Sequence, residues 1–336
     1  MKDAAVTVII PNYNGKAYLS DCLNSLRNQT FKDFEIIVVD NGSTDGSVEL
    51  IKQVFPEVTL IIFNENTGFS HACNAAIKAS ESPFVALLNN DTEVSPQWLK
   101  VLFESMHGSK NTGMAASKIL LDKMTIDSTG MLIYPDGIGR QRGRGETDTG
   151  QYDDKTDVLY PSGCACLLRR KMLDETGLFD EDFFAYCEDV DLGLRGRLAG
   201  WLAVFCPDAV VYHKYSETGG KYSEFKAFLV ERNRIWVAVK NFPLQFLLKV
   251  PLYTFKRYIW QMYSIATKRG STARFAGGVS ASGMAAVFLK AYSSAAVKIP
   301  SMLKKRMFFK RRITALEFSN MLKKHEVSAS ELILKD

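Results

Sequence analysis

Glu35-Ile36-Ile37-Val38-Val39-Asp40-Asn41-Gly42-Ser43-Thr44-Asp45-Gly46-Ser47 sets a β-branched run against a polar turn punctuated by glycines. Residues 35–40 read as a buried strand closing on a carboxylate. Residues 47–55 read as a helix that Ser43 or Asp45 caps. The same pattern recurs on either side. Residues 6–10, 59–63 and 84–89 are further strands, each ending on polar or turn residues, with helices over 17–29 and 70–79 between them. In the first helix Leu19, Cys22, Leu23 and Leu26 share one face. A βαβα series of this kind predicts a mainly parallel, doubly wound α/β sheet that binds ligands at the carboxyl ends of its strands.

Beyond residue 90 the pattern predicts a helix over 98–106, extended chain at 113–120 and 131–134, a strand over 158–168, a helix over 188–199 and a strand over 202–212. Residues 137–150 form a loop rich in glycine and arginine. It is expected to be mobile, with Arg140, Arg142 and Arg144 able to close over an anion; a plain surface loop is the alternative.

The 336 residues suit one large α/β body with an appendage. The overall charge of +5 hides an asymmetry: residues 1–225 carry 21 Lys and Arg against 32 Asp and Glu, whereas residues 226–336 carry 21 against 5. A division follows, with an acidic body over 1–225 and a basic, mostly helical unit over 226–336. The six cysteines show neither a Cys-x-x-Cys pair nor a zinc spacing, which suits buried free thiols in a reducing compartment. With a strand already expected from residue 6 no signal peptide is expected, and no apolar run is long enough to predict a transmembrane helix.

The strand ends carry the polar residues that matter. Pro11-Asn12-Tyr13-Asn14-Gly15 and Asp40-Asn41-Gly42 fall side by side in a doubly wound sheet. Asp40 is suited to accept from a pyrimidine N3–H while Tyr13 or nearby backbone covers the ring; two ordinary turns are the plainer reading. Asn89-Asn90-Asp91 ends the fourth strand, where a carboxylate beside the crevice can hold a divalent ion bridging a diphosphate. One carboxylate binds such an ion weakly, and His213, after the last strand, is the candidate second ligand; a structural histidine is the alternative. Lys214, Tyr215, Ser216 and Thr218 beside it could hold phosphate oxygens. Phe179-Asp180-Glu181-Asp182-Phe183-Phe184-Ala185-Tyr186-Cys187-Glu188-Asp189-Val190-Asp191 interleaves six carboxylates with aromatics. Aromatics draw the segment toward a buried surface that carboxylates resist unless they are held there, so it is a candidate source of a general base or a metal ligand; a solvated helix N-terminus is the plainer reading.

In chain order, Val8–Gly15, Val38–Gly46, Asn66-Thr67-Gly68-Phe69 with Asn74, Leu88-Asn89-Asn90-Asp91, Pro161-Ser162-Gly163, Glu188-Asp189-Val190-Asp191 and the strand ending at His213 resemble the family 2 glycosyltransferases. Within that family the chain looks most like the rhamnosyltransferase-like branch. The resemblance implies a GT-A fold and inverting transfer from a dTDP- or UDP-sugar, dTDP-L-rhamnose among them, to a glycan acceptor, in cell-surface polysaccharide synthesis. It implies a donor nucleotide site at Pro11, Asn12, Tyr13, Asp40, Asn66 and Asn90. Asp91 and His213 become ligands of Mn²⁺ or Mg²⁺, and Asp189 becomes the base. Asp180, Glu188 and Asp191 are left to bind acceptor or support the base, with Arg195 pairing with Asp191 along the helix. Asn89 and Asn90 replace acidic residues seen in many relatives, so metal binding is expected to lean on the donor diphosphate. The competing readings are a silent nucleotide-sugar-binding or scaffold subunit on the same fold, and a sugar nucleotidyltransferase.

In the tail, residues 242–263 and 298–312 mix aromatic and aliphatic side chains with Lys and Arg. Helices of this composition lie in a membrane interface with cations on anionic headgroups. A hairpin packed on the body, or a homo-oligomer interface, is the alternative; nucleic acid is not expected as a partner. A peripheral position on the cytoplasmic face suits a polyprenyl-diphosphate-linked acceptor, whose diphosphate Arg232 and Arg234 could touch.

Overall fold

The computed structural model describes residues 4–214, 223–278 and 280–335. Its first part alternates β1 (Val6–Asn12), α1 (Lys16–Arg27), β2 (Phe34–Asn41), α2 (Ser47–Val54), β3 (Thr59–Phe63), α3 (Phe69–Ala79) and β4 (Phe84–Leu88). The strands pair in parallel in the order β3-β2-β1-β4. Because side chains alternate along a strand, the sheet separates two cores. Ile9, Ile37, Val39 and Leu87 enter one, and Val8, Ile10, Val38 and Leu88 enter the other.

The chain continues through β5 (Thr92–Val94), α4 (Trp98–Ser105), β6 (Thr112–Leu120), β7 (Ile126–Ser128), β8 (Met131–Ile133), β9 (Gly139–Gln141), β10 (Ala165–Arg169), α5 (Arg170–Thr176), α6 (Glu188–Leu198) and β11 (Leu202–His213), with β8 and β9 paired in a small sheet of their own. Past β4 the order is β10-β6-β11-β5, with β7 on β6. This half is mixed: β6 and β11 are parallel, but β10 runs antiparallel to β4 and β6, and β5 antiparallel to β11. After β6 the chain makes the β7–β9 excursion at one end of the sheet, so β10 re-enters in the opposite direction. Only residues 165–169 of the strand expected over 158–168 are extended in the ladder.

The arginine loop is tethered. Arg144 pairs with Asp127, Arg142 donates to the Thr129 and Lys155 carbonyls, and Arg140 donates to the Lys335 carbonyl. Closure of these three guanidinium groups over an anion is not what this arrangement provides. All six cysteines are buried and unpaired.

The tail is helical: α7 (Glu224–Asn241), α8 (Leu244–Leu247), α9 (Val250–Thr267), α10 (Gly270–Gly278), α11 (Ala281–Lys305), α12 (Ala315–His325) and α13 (Ala329–Leu334). Trp236, Val237, Phe242, Met302, Phe318 and Leu322 share a core with Ile9, Leu87 and Leu168 of the sheet, so apolar burial runs across residue 225. Charge does the same. Arg257 on α9 donates to Asp136 at 2.6 Å and to Glu231 on α7 at 2.7 Å, and Arg234 donates to Glu231 at 2.7 Å. Asp136, Arg234 and Arg257 are almost wholly buried. Paired charges tolerate such burial because each guanidinium meets carboxylate oxygens in its own plane. Arg234 therefore faces inward and is not offered to a ligand. Arg232 is also engaged: it donates to the Phe183 carbonyl at 3.0 Å and lies over the Trp236 ring. Among the described residues no helix is long and apolar enough to cross a membrane.

Candidate active site

The parallel register of β1 and β2 sets Asn12 opposite Asp40. Asn12 Nδ2 donates to Asp40 Oδ2 at 2.9 Å, and the Ser43 N–H donates to Asp40 Oδ1 at 2.9 Å. Asn90 Nδ2 donates to Asn12 Oδ1 at 2.7 Å. One hydrogen-bonded row thus links the ends of β2, β1 and β4. Gly15 leaves room for it, since a Cβ there would stand 1.9 Å from Asn90 Nδ2 and displace the two asparagine side chains. Asn12 and Asp40 are closed off from solvent, Pro11 is half-buried and Tyr13 is exposed. Each Asp40 oxygen keeps a second lone pair beyond the bond it accepts. Asn66 acts locally, its Oδ1 accepting from Asn41 Nδ2 and from the Gly68 N–H and so shaping the turn into α3. Asp45 binds both neighbouring helix starts, accepting from the Ser47 N–H and the Lys16 N–H, although Gly46 holds the α2 N-cap position.

The antiparallel pairing of β11 with β5 sets His213 against Thr92, one residue past Asp91. His213 Nε2 lies 3.4 Å from Asp91 Oδ1, and Nδ1 lies 2.8 Å from Asp127 Oδ2. Burial disfavours the imidazolium, but Cys164 and the carboxylates of Asp127 and Asp91 outweigh it and raise the His213 pKa. Among the described residues no group of three or more His, Cys, Asp or Glu side chains could hold a metal alone. The pair of one carboxylate and one imidazole fits a divalent ion completed by diphosphate oxygens, with Asp127 orienting the ring from behind. Asp127 carried little signal in the sequence, where it is a lone acid in a short buried strand, Ile126-Asp127-Ser128. Lys214 pairs with Asp21 and Glu93, while Tyr215, Ser216 and Thr218 lie outside the described residues.

Segment 179–191 splits in two. At its outer parts, Asp180 Oδ2 meets Lys240 Nζ at 2.6 Å, and Asp180 also pairs with Lys305. Asp191 accepts from Lys240 at 2.8 Å, Arg195 at 3.0 Å and Asn241 at 2.9 Å. Burial pushes the Asp191 pKa up, but Lys240 and Arg195 reverse this and hold it at about 2. Asp180 and Asp191 therefore brace the segment rather than face a ligand.

Between them the backbone is strained. Phe184, Tyr186 and Cys187 have φ of 65°, 66° and 66°, a region costly for bulky side chains. Asn233 on α7 offsets that cost, the two N–H bonds of its Nδ2 being shared among the Phe183, Ala185 and Tyr186 carbonyls at 3.0, 2.9 and 2.7 Å. No sequence signal marked Asn233, which sits between two arginines in an ordinary helix. The strained turn delivers Glu188 and Asp189 to the first turn of α6. Glu188 is buried, and burial followed by repulsion from Asp189 raises its pKa to about 8. Asp189 is only partly buried; Oδ2 accepts from the Gly163 N–H at 3.2 Å and Oδ1 from the Val190 N–H at 2.8 Å. Desolvation raises its pKa as well, against these two hydrogen bonds. A partly accessible carboxylate made more basic than usual is suited to take a proton.

Residues 7–177 match the family described as Glycosyl transferase family 2. The chain belongs to that family. The N-acetylglucosaminyl-diphospho-decaprenol L-rhamnosyltransferase of Mycobacterium tuberculosis is 28% identical over 268 residues, covering 68% of this chain and 85% of its own. Among solved structures, the mannosyltransferase PcManGT from Pyrobaculum calidifontis, in complex with GDP-Man and Mn²⁺, superposes with a TM-score of 0.51 at 16% identity, covering 98% of this chain and 78% of that one. S. aureus TarS superposes with a TM-score of 0.53 at 18% identity, covering 89% and 55%. The family 2 glycosyltransferase thus has the expected GT-A architecture, a central sheet with flanking helices and a C-terminal helical region.

Proposed function

We propose that this glycosyltransferase transfers a sugar with inversion from a dTDP- or UDP-sugar to a hydroxyl of a lipid-linked glycan acceptor, in cell-surface polysaccharide synthesis. The observation that carries this reading is Asp189, positioned partly exposed by the strained turn and the Gly163 N–H and made more basic than usual by desolvation. The donor's nucleotide lies along the row Asn12, Asp40 and Asn90, with Pro11 and Tyr13 at its edge and Asn66 shaping the adjoining turn. Asp189 accepts the proton of the acceptor hydroxyl as that oxygen attacks the anomeric carbon from the face opposite the nucleotide, and the bond to the diphosphate breaks. General-base catalysis of this kind contributes roughly 10²–10⁴ in rate. Asp91 and His213 would hold Mn²⁺ or Mg²⁺, which supplies positive charge to the leaving diphosphate; the mannosyltransferase neighbour was solved with Mn²⁺.

The rhamnosyltransferase relative acts, by its name, on a decaprenol-diphosphate-linked sugar. That favours dTDP-L-rhamnose among the donors, a polyprenyl-diphosphate acceptor, and a peripheral position on the cytoplasmic membrane face, with 1–225 as the catalytic unit and 226–336 as the membrane-facing one. A panel of nucleotide sugars with Mn²⁺ tests the reading. Release of nucleoside diphosphate and an inverted product supports it, and release of pyrophosphate would replace it with nucleotidyl transfer. The Asp189→Asn enzyme should bind donor normally and lose roughly 10²–10⁴ in turnover.

A further inference from the structure

Helix α9 is turned inside out. Its fully buried side chains are Thr254, Arg257 and Ser264, all polar. On the opposite side Leu248, Leu252, Phe255, Ile259 and Met262 recur at alternating spacings of four and three residues and stand in solvent. Leu252 is 68% exposed, Phe255 63% and Met262 62%. A surface helix ordinarily buries its apolar stripe and shows water its polar one. Here Arg257 is consumed by Asp136 and Glu231, and Tyr253 and Trp260 pack at the edges of the inner face, so the apolar stripe has no place in the core. Exposed Leu244, at the start of α8, extends the stripe.

Charge selects what covers it. Lys249 and Lys256 are exposed along the stripe, and Lys268 and Arg269 are exposed at its end. From residue 232 to residue 316 the chain contains 17 Lys and Arg and no Asp or Glu. Two copies joined stripe to stripe would set cations against cations, with no carboxylate on α8 or α9 to pair them. An 18-residue helix is about 27 Å long, and no helix among the described residues is apolar enough to span a bilayer.

We propose that the outer face of α8 and α9 docks onto an anionic phospholipid surface, lying in its plane with Leu248, Leu252, Phe255, Ile259 and Met262 in the acyl boundary and Lys249 and Lys256 on the headgroups. In the second basic segment Lys304, Lys310, Met307 and Phe308 are exposed, but most of its cations are engaged within the protein. Lys298 and Lys305 are spent on Asp182 and Asp180, Arg311 on the Lys240 and Asn241 carbonyls, and Arg312 on Glu175. The proposal rests on the lipid-linked reading only for its purpose.

The test is flotation of the full chain with vesicles of phosphatidylglycerol and phosphatidylcholine in equal parts, compared with phosphatidylcholine alone, alongside gel filtration. The wild type should float with the anionic vesicles, less so at high salt. The triple variant L252S/F255S/M262S should keep its circular dichroism spectrum and partition roughly 10- to 100-fold more weakly. K249E/K256E should lose roughly tenfold on anionic vesicles and little on neutral ones. Unchanged flotation of both variants overturns the proposal. So does a wild-type dimer that the triple variant converts to monomer without any effect on flotation, which would give the stripe to a second copy. Flotation needs no donor or acceptor, so failure of the sugar-transfer reading leaves this result standing, and the reverse also holds.

Discussion

Asp189 and Asp191 stand two residues apart on one helix, and their surroundings shift their pKa values in opposite directions. Asp191 is wholly buried, yet Lys240 and Arg195 hold its pKa at about 2. Asp189 retains contact with solvent, its hydrogen-bond donors among the described residues are the backbone N–H groups of Gly163 and Val190, and its pKa is raised. Burial alone does not decide whether a carboxylate is a brace or a base. The cation brought to it by a distant part of the chain does, and here that cation is Lys240 on α7. Removing the one carboxylate should cost chemistry, and removing the other should cost the fold.

The largest contrast comes from Asp189→Asn against Asp191→Ala. The first should lower kcat by roughly 10²–10⁴ with an unchanged melting temperature. The second leaves Lys240 and Arg195 buried without their shared partner and should cost about 3–5 kcal/mol of stability, read by chemical denaturation. Equal losses of stability in the two variants would break the comparison. Next in size is Asn233→Ala, which frees the strained turn at 184–187. It should cost about 1–3 kcal/mol and lower kcat more than it changes donor binding. Lost stability with a fully retained kcat would make Asn233 a structural residue only.

A finer separation lies in pH. Glu188 has a pKa of about 8 in the folded chain against 4.5 ordinarily, so between those values the folded state holds more protons than the unfolded one. Its contribution to stability therefore falls as pH rises from about 4.5 to about 8, and Glu188→Gln should flatten that decline. Asp191 has the opposite sign: its contribution is present above 3.8 and is lost as pH falls toward about 2. The smallest effect is expected from Lys305→Ala. Lys240 still holds Asp180 in that variant, so a loss of about 1 kcal/mol is anticipated.

Most of the sheet was legible because its signals are local. β-branched runs that end on polar turns are dictated by side-chain shape and by glycine, and β1 to β4 with α1 to α3 follow them within a few residues. The row of Asn12, Asp40 and Asn90 follows from strand order, since parallel neighbours bring their carboxyl ends together. The direction of β10 was not legible, because it depends on where the β7–β9 excursion leaves the chain. Nor was the fate of the arginines at 140, 142, 144 and 234, which the composition offered to an anion and the packing assigns to carbonyls and carboxylates.

The sequence by itself determined the strand–helix order, the polar strand ends, the acidic aromatic segment and a tail of opposite charge, because each is a property of neighbouring residues. Only the tertiary structure decided which carboxylates are neutralised, that Asp127 backs His213, that Asn233 restrains a strained turn and that α9 presents its apolar side outward. Those outcomes depend on contacts between residues far apart in the chain, where a charge or an apolar stripe acquires its role from whatever is packed against it.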